Sequence, residues 1–171
     1  MYSGLDKVEQ ALCRAVLLRL VQPGEGTEDT KRRAGLGELL PVEGDQAAVQ
    51  AVVKTLSDEG ARLVTVQGDT IEVAHEALIR GWSRLRGWIE EDRESLQSHR
   101  QLTTAVGQWE EQDRDQSYLY EGTQLEAAKA WASGRWTMLN AAERDFMLYS
   151  IIEEGESLEE WIPRYGSVQE A

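Results

Sequence analysis

Apolar residues first recur at helical spacing through Val8, Leu12, Ala15 and Val16, which predicts a helix over Leu5–Val21. Ser3 followed by Asp6 is an N-terminal cap signal, and Pro23-Gly24 is a stop. Residues 22–30, QPGEGTEDT, form a polar loop, and residues 31–40 form a short extended or irregular stretch before Pro41. A second helix follows, capped by Asp45, carrying Val49, Val52, Val53 and Leu56 on one face and ending at Gly60. The period then changes from helical to alternating. Val64 and Val66 alternate on one side of Gly68-Asp69, and Ile71 and Val73 on the other, a β-hairpin with a two-residue turn.

From Glu76 onward the pattern is helical again. Leu78, Trp82, Leu85 and Ile89 make a single buried stripe, and Leu102, Val106 and Trp109 mark the next helix. Thr123 with Glu126 and Asn140 with Glu143 have capping-box spacing, announcing helices near 124–133 and 141–153, with Gly134 between them. Beyond Gly155 a small apolar group, Leu158, Trp161 and Ile162, precedes Pro163. The expected fold is therefore mainly α. Residues 1–80 have the helix, loop, helix, hairpin order of a winged-helix domain with a β-hairpin wing. Residues 81–155 form an α-helical bundle or arm of four or five helices, and 156–171 a tail or the start of a following segment.

Composition narrows the function classes. A 41% hydrophobic content is enough for a core, and no apolar run approaches the roughly 20 residues of a membrane span. Nor does the N-terminus have the basic-then-apolar pattern of a secretory signal. The single cysteine, Cys13, forms neither an internal disulfide nor a zinc site and reads as a buried thiol, so a cytoplasmic location is expected. Net charge is −13, and it is uneven: residues 1–80 hold 9 basic and 13 acidic groups, residues 81–171 hold 9 and 18. Such a balance repels a phosphate backbone and suits a solvated acidic surface.

The chemistry-bearing motifs in the chain are mostly incomplete. GEGTEDTK at 24–31 is glycine-rich, yet a Walker A loop needs glycine before the lysine and Ser or Thr after it; here Thr30 precedes Lys31 and Arg32 follows. His75, His99 and Cys13 offer no triad spacing, and the pairs Glu90-Glu91 and Glu110-Glu111 diverge by about 100° around a helix axis. No catalytic residue and no metal site is assigned, so the chain is not read as an enzyme. A DNA-reading winged helix presents cations on its second helix. That helix holds Lys54 as its only cation, against Asp45, Asp58 and Glu59, and Lys31-Arg32-Arg33 is a thin footprint for a duplex.

Two aromatic and histidine features remain. Trp82, Trp88, Trp109, Trp131, Trp136 and Trp161 sit at helical spacing and are expected in the core rather than on a ligand platform. Trp88 lies one residue off the Leu78–Ile89 stripe and is a candidate inter-helix or interdomain contact. His75 falls where the second hairpin strand ends and the helix Glu76-Ala-Leu-Ile-Arg80 begins, which leaves its imidazole at a rim.

The segment Leu17-Leu-Arg-Leu-Val-Gln-Pro-Gly-Glu-Gly-Thr-Glu-Asp-Thr-Lys-Arg-Arg33 resembles bacterial STAND-class NTPases, the signal-transduction ATPases with numerous domains. So does Ile71-Glu-Val-Ala-His-Glu-Ala-Leu-Ile-Arg-Gly-Trp-Ser-Arg-Leu85, continuing into Trp88-Ile-Glu-Glu-Asp-Arg93, and the likeness extends over about residues 15–150. In that family the matching region follows a P-loop ATPase core and precedes a sensor array of WD or helical repeats. Ala74-His75-Glu76 is similar to the Met-His-Asp motif of the related NB-ARC receptors, with Ala74 and Glu76 as departures. The resemblance implies that His75 contacts the β-phosphate of ADP in a closed state. ADP or ATP with Mg would be held by the upstream ATPase core, this chain alone carrying no cofactor. It further implies partners within the same polypeptide, the ATPase core before and the sensor after, with Arg32, Arg33 and Trp88 as interface candidates.

The leading expectation is therefore a non-catalytic regulatory segment of a STAND NTPase, an autoinhibitory and coupling module of a longer chain. An acidic winged-helix and helical scaffold for protein contacts is the alternative, and a DNA-binding regulator the third. No membrane partner is expected.

Overall fold

The computed structural model describes residues 2–40 and 45–158, and Trp161, Ile162 and Pro163 lie outside them. The chain is mainly helical with two small sheets. It divides into two compact units, the first running to Gln97 and the second from Ser98.

In the first unit helix α1, Lys7–Arg19, is started by Asp6. Its carboxylate accepts from the Val8 and Glu9 amides while Glu9 returns a bond to the Asp6 amide, a complete capping box. The Ser3 position of the expected cap falls in the preceding turn, Tyr2–Gly4. The helix also ends earlier than its apolar pattern suggested. Val21 leaves it to form β1, Val21–Gln22, which pairs antiparallel with β2, Thr30–Lys31, so the polar loop is a closed Ω-like excursion between paired ends.

Residues 31–40 resolve into strand β3, Arg33–Gly35, and a single helical turn, α2, Leu36–Leu39. Helix α3, Gln46–Ser57, is capped by Asp45, and Val49, Val52, Val53 and Leu56 are all buried, as its apolar stripe requires. It ends at Asp58 rather than Gly60, and the left-handed residue that redirects the chain is Arg62, φ 44°. The hairpin is present: β4, Val64–Gln67, and β5, Thr70–Val73, pair with Gln67 opposite Thr70 across Gly68-Asp69. Gly68, φ 60°, supplies the positive φ such a turn needs. β3 adds to the other edge of β5, giving a three-stranded sheet of order β3-β5-β4.

The stripe Leu78–Ile89 is not one helix. Helix α4, Ala77–Gly81, stops at Trp82, whose ψ of 100° is extended, and α5, Ser83–Glu111, begins at the next residue. α5 is 29 residues long and continuous through the point where a new helix was expected. Its first part carries Leu85, Trp88, Ile89 and Leu96 into the core of the first unit, so the expected boundary at residue 80 falls inside that unit.

The second unit packs the end of α5 with α6, Gly122–Ala132, and α7, Ala141–Glu153, around Trp109, Leu125, Phe146 and Ile151. Among the described residues the region after 81 thus holds three α-helices, α5, α6 and α7, where four or five were expected. The Asn140–Glu143 capping box forms. The Thr123–Glu126 box does not: α6 starts one residue before Thr123, and the Gly122 amide donates instead to the Glu154 carboxylate. Glu126 is taken up by Lys129.

Candidate functional site

The site is built from the junction that carries His75. β5 is held as the central strand, so its direction is fixed by neighbours on both edges. Immediately after it the Ala74 amide donates to the Leu63 carbonyl at 2.9 Å, which locks the exit from the sheet. The His75 and Glu76 carbonyls then accept from the Leu78 and Ile79 amides at 2.9 and 3.0 Å, the first turn of α4. Glu76 occupies the cap position without a side-chain cap bond. Ile79 is 2% exposed and anchors the turn, while His75 itself is exposed. Its ring has no hydrogen-bond or ion-pair partner among the described residues. The imidazole therefore stands on a rim fixed by backbone bonds, with both ring nitrogens available.

The loop Pro23–Thr30, which reaches α4 through Glu28, is held by an internal bond and by α5. Asp29 accepts two bonds from the Arg93 guanidinium, at 2.8 and 3.0 Å, and one from the Gly24 amide at 2.9 Å. Arg93's hydrogen bonds hold the Asp29 carboxyl below the ordinary aspartate range; burial opposes this, and the Gly24 amide adds to it. Gly24 is required: a Cβ there would lie 2.2 Å from the Thr27 carbonyl oxygen. One residue from Asp29, Glu28 reaches Arg80 of α4 at 2.8 Å. The two ion pairs join residues 64 and 52 positions apart in the chain.

The basic cluster at 31–33 is neutralised locally. Lys31 and Arg33 both donate to Glu72 of β5, at 3.2 and 3.0 Å, and hold its carboxyl low, Arg33 first. Arg32 forms a two-pronged pair with Glu38, at 2.6 and 3.0 Å, and donates to the Arg19 carbonyl at the end of α1. Each cation thus has an acidic partner, which leaves a duplex little to bind here.

A family model described as Novel STAND NTPase 1 matches residues 1–117, more than half of the chain. The chain belongs to that family. No curated protein and no solved structure matches it.

The family match spans the whole first unit and all of α5, and stops in the turn before α6. Within this part of the STAND NTPase, the remaining candidates are placed as follows. Trp88 is 8% exposed and packs on Tyr2, with ring centroids 5.3 Å apart, and on Trp82 at 5.9 Å, with the Arg14 guanidinium 5.7 Å from its centre. It is an inter-helix contact between α1 and α5. Arg33 is the most exposed of the three interface candidates, its side chain 70% accessible. Trp82, Trp131 and Trp136 are partly buried against the two cores and Trp109 is 1% exposed, so the described tryptophans serve packing.

Glu90 and Glu91 do diverge, one toward Arg93 and the other toward Arg14. His99 is buried in the second unit, 3.2 Å from Glu143 and against Trp131. Sequence reasoning missed Glu28, Asp29 and Arg93. The only signal was an arginine closing Trp88-Ile-Glu-Glu-Asp-Arg93 and a loop with two adjacent carboxylates, features that read as solvated charge.

Proposed function

We propose that this segment is the non-catalytic regulatory module of a STAND NTPase. In this reading its first unit acts as a winged helix, with β4–β5 as the wing. His75 donates a hydrogen bond to a phosphate of ADP held by the ATPase core of the same polypeptide, in the closed, autoinhibited state. Family membership supports the setting. The single observation that carries the site is the exposed, unpartnered imidazole fixed at the β5–α4 junction.

A charge-assisted contact of this kind is worth about 1.5–3 kcal/mol. Made only in the closed state, it biases the switch by that amount. His75→Ala in the full-length NTPase is therefore expected to release a fluorescent ADP about ten- to a hundredfold faster. Unchanged release would overturn the assignment.

A second reading, a protein-interaction scaffold, is favoured by one feature. Leu36, Val53 and Ile71 line a shallow groove beside the 45% exposed Val66 of the hairpin. Under that reading His75→Ala leaves nucleotide release untouched, whereas Val66→Asp weakens partner capture.

A further inference from the structure

Helix α4 has too little of its own to fix its position. It is five residues long, far below the roughly 12–15 at which isolated helices become stable, so its placement is imposed from outside. One of its side chains, Ile79, is fully buried, and Leu78 is partly so. At its C-terminal end Trp82 is non-helical and packs on Tyr2 and Trp88. Its own side chains reach another element through the Arg80–Glu28 pair at 2.8 Å, and the Arg80 carbonyl accepts from the Arg86 guanidinium of α5 at 3.4 Å.

Glu28 is itself exposed, its side chain 71% accessible, but the residues around it are held. It sits between a buried Pro23 and the Asp29–Arg93 clip, whose carboxylate is 15% accessible, in a loop that admits no side chain at Gly24. The outer end of the loop is thus held by α5 and the inner end by the β1–β2 pairing. Arg80 thus pairs with a carboxylate whose loop is anchored at both ends.

We propose that the loop Pro23–Thr30 is a brace that sets the position of His75, acting through Glu28 on Arg80 of α4. Glu28, Asp29, Arg80 and Arg93 are then positioning residues for the switch, and the proposal rests on the regulatory reading of His75 given above. Movement of the loop would be felt first at α4, which begins at Ala77, two residues after His75.

The outer pair is exposed, so charge reversal there leaves the core intact. Glu28→Arg and Arg80→Glu, each made alone in the full-length NTPase, should raise amide hydrogen exchange over residues 75–81. Each should also speed ADP release by about two- to fivefold, the range an exposed pair supports. The double reversal, Glu28→Arg with Arg80→Glu, should restore both, which a generally weakened fold would not do. Unchanged exchange over 75–81 in the single variants would overturn the brace. Raised exchange together with ADP release unmoved in both the single variants and His75→Ala would instead overturn the nucleotide reading and leave the brace standing.

Discussion

At the scale of single residues, polar contacts between distant positions do the organising. Asp29 shows how. Its carboxyl lies below the ordinary aspartate value of 3.8 in the folded chain, mainly through the Arg93 hydrogen bonds. A carboxyl lowered on folding stabilises the fold fully above its unfolded value and loses that contribution as pH falls through the folded value. Asp29→Asn should therefore be less stable than the parent at pH 7 and lose less stability on acidification below 3.8. Urea midpoints measured across that acid limb check this, and parallel profiles would count against it. Cys13 titrates the other way. Burial pushes its thiol up to about 11, consistent with a core side chain and with its reading from sequence.

At the scale of elements, what was legible had local causes. α3 was readable because one apolar stripe and one capping aspartate coincide. The hairpin was readable because the alternation flanks a Gly-Asp turn. The break at Trp82 was invisible, since the stripe Leu78, Trp82, Leu85 and Ile89 runs straight through it; the interruption comes from tertiary contacts with Tyr2 and Trp88. The continuity of α5 was hidden for a related reason. Its middle is polar in sequence, yet Leu96, His99 and Arg100 are buried there, and buried polar residues leave no hydrophobic period. β3 is too short to alternate and exists because β5 offers it an edge.

The caps give an element-scale prediction. The Asn140 side chain accepts from the Glu143 amide at 2.9 Å, and Glu143 returns a bond to the Asn140 amide at 3.1 Å. Asn140→Ala should cost about 0.5–2 kcal/mol of stability, whereas Asn140→Ser should recover most of it. Thr123→Ala should cost far less than Asn140→Ala, because the cap of α6 does not use that residue. Thermal unfolding of the three variants separates these expectations.

At the scale of the whole molecule, two compact units share the long helix α5, the first running to Gln97 and the second from Ser98. The match to the STAND family covers the first and reaches Ser117. Among the described residues no helix is long and apolar enough to cross a membrane. The rim position of His75 was legible from sequence because strand and helix periods meet there. Its support was not, since Asp29 and Arg93 are joined only by the fold. The proposed regulatory role draws on the same geometry: an exposed imidazole at the β5–α4 junction, two residues before α4 begins.

The most direct measurement is a structure of the full-length NTPase with ADP bound. A ring nitrogen of His75 is expected at hydrogen-bond distance, about 2.7–3.2 Å, from a phosphate oxygen. An imidazole facing solvent, with the phosphates satisfied by other groups, would contradict it.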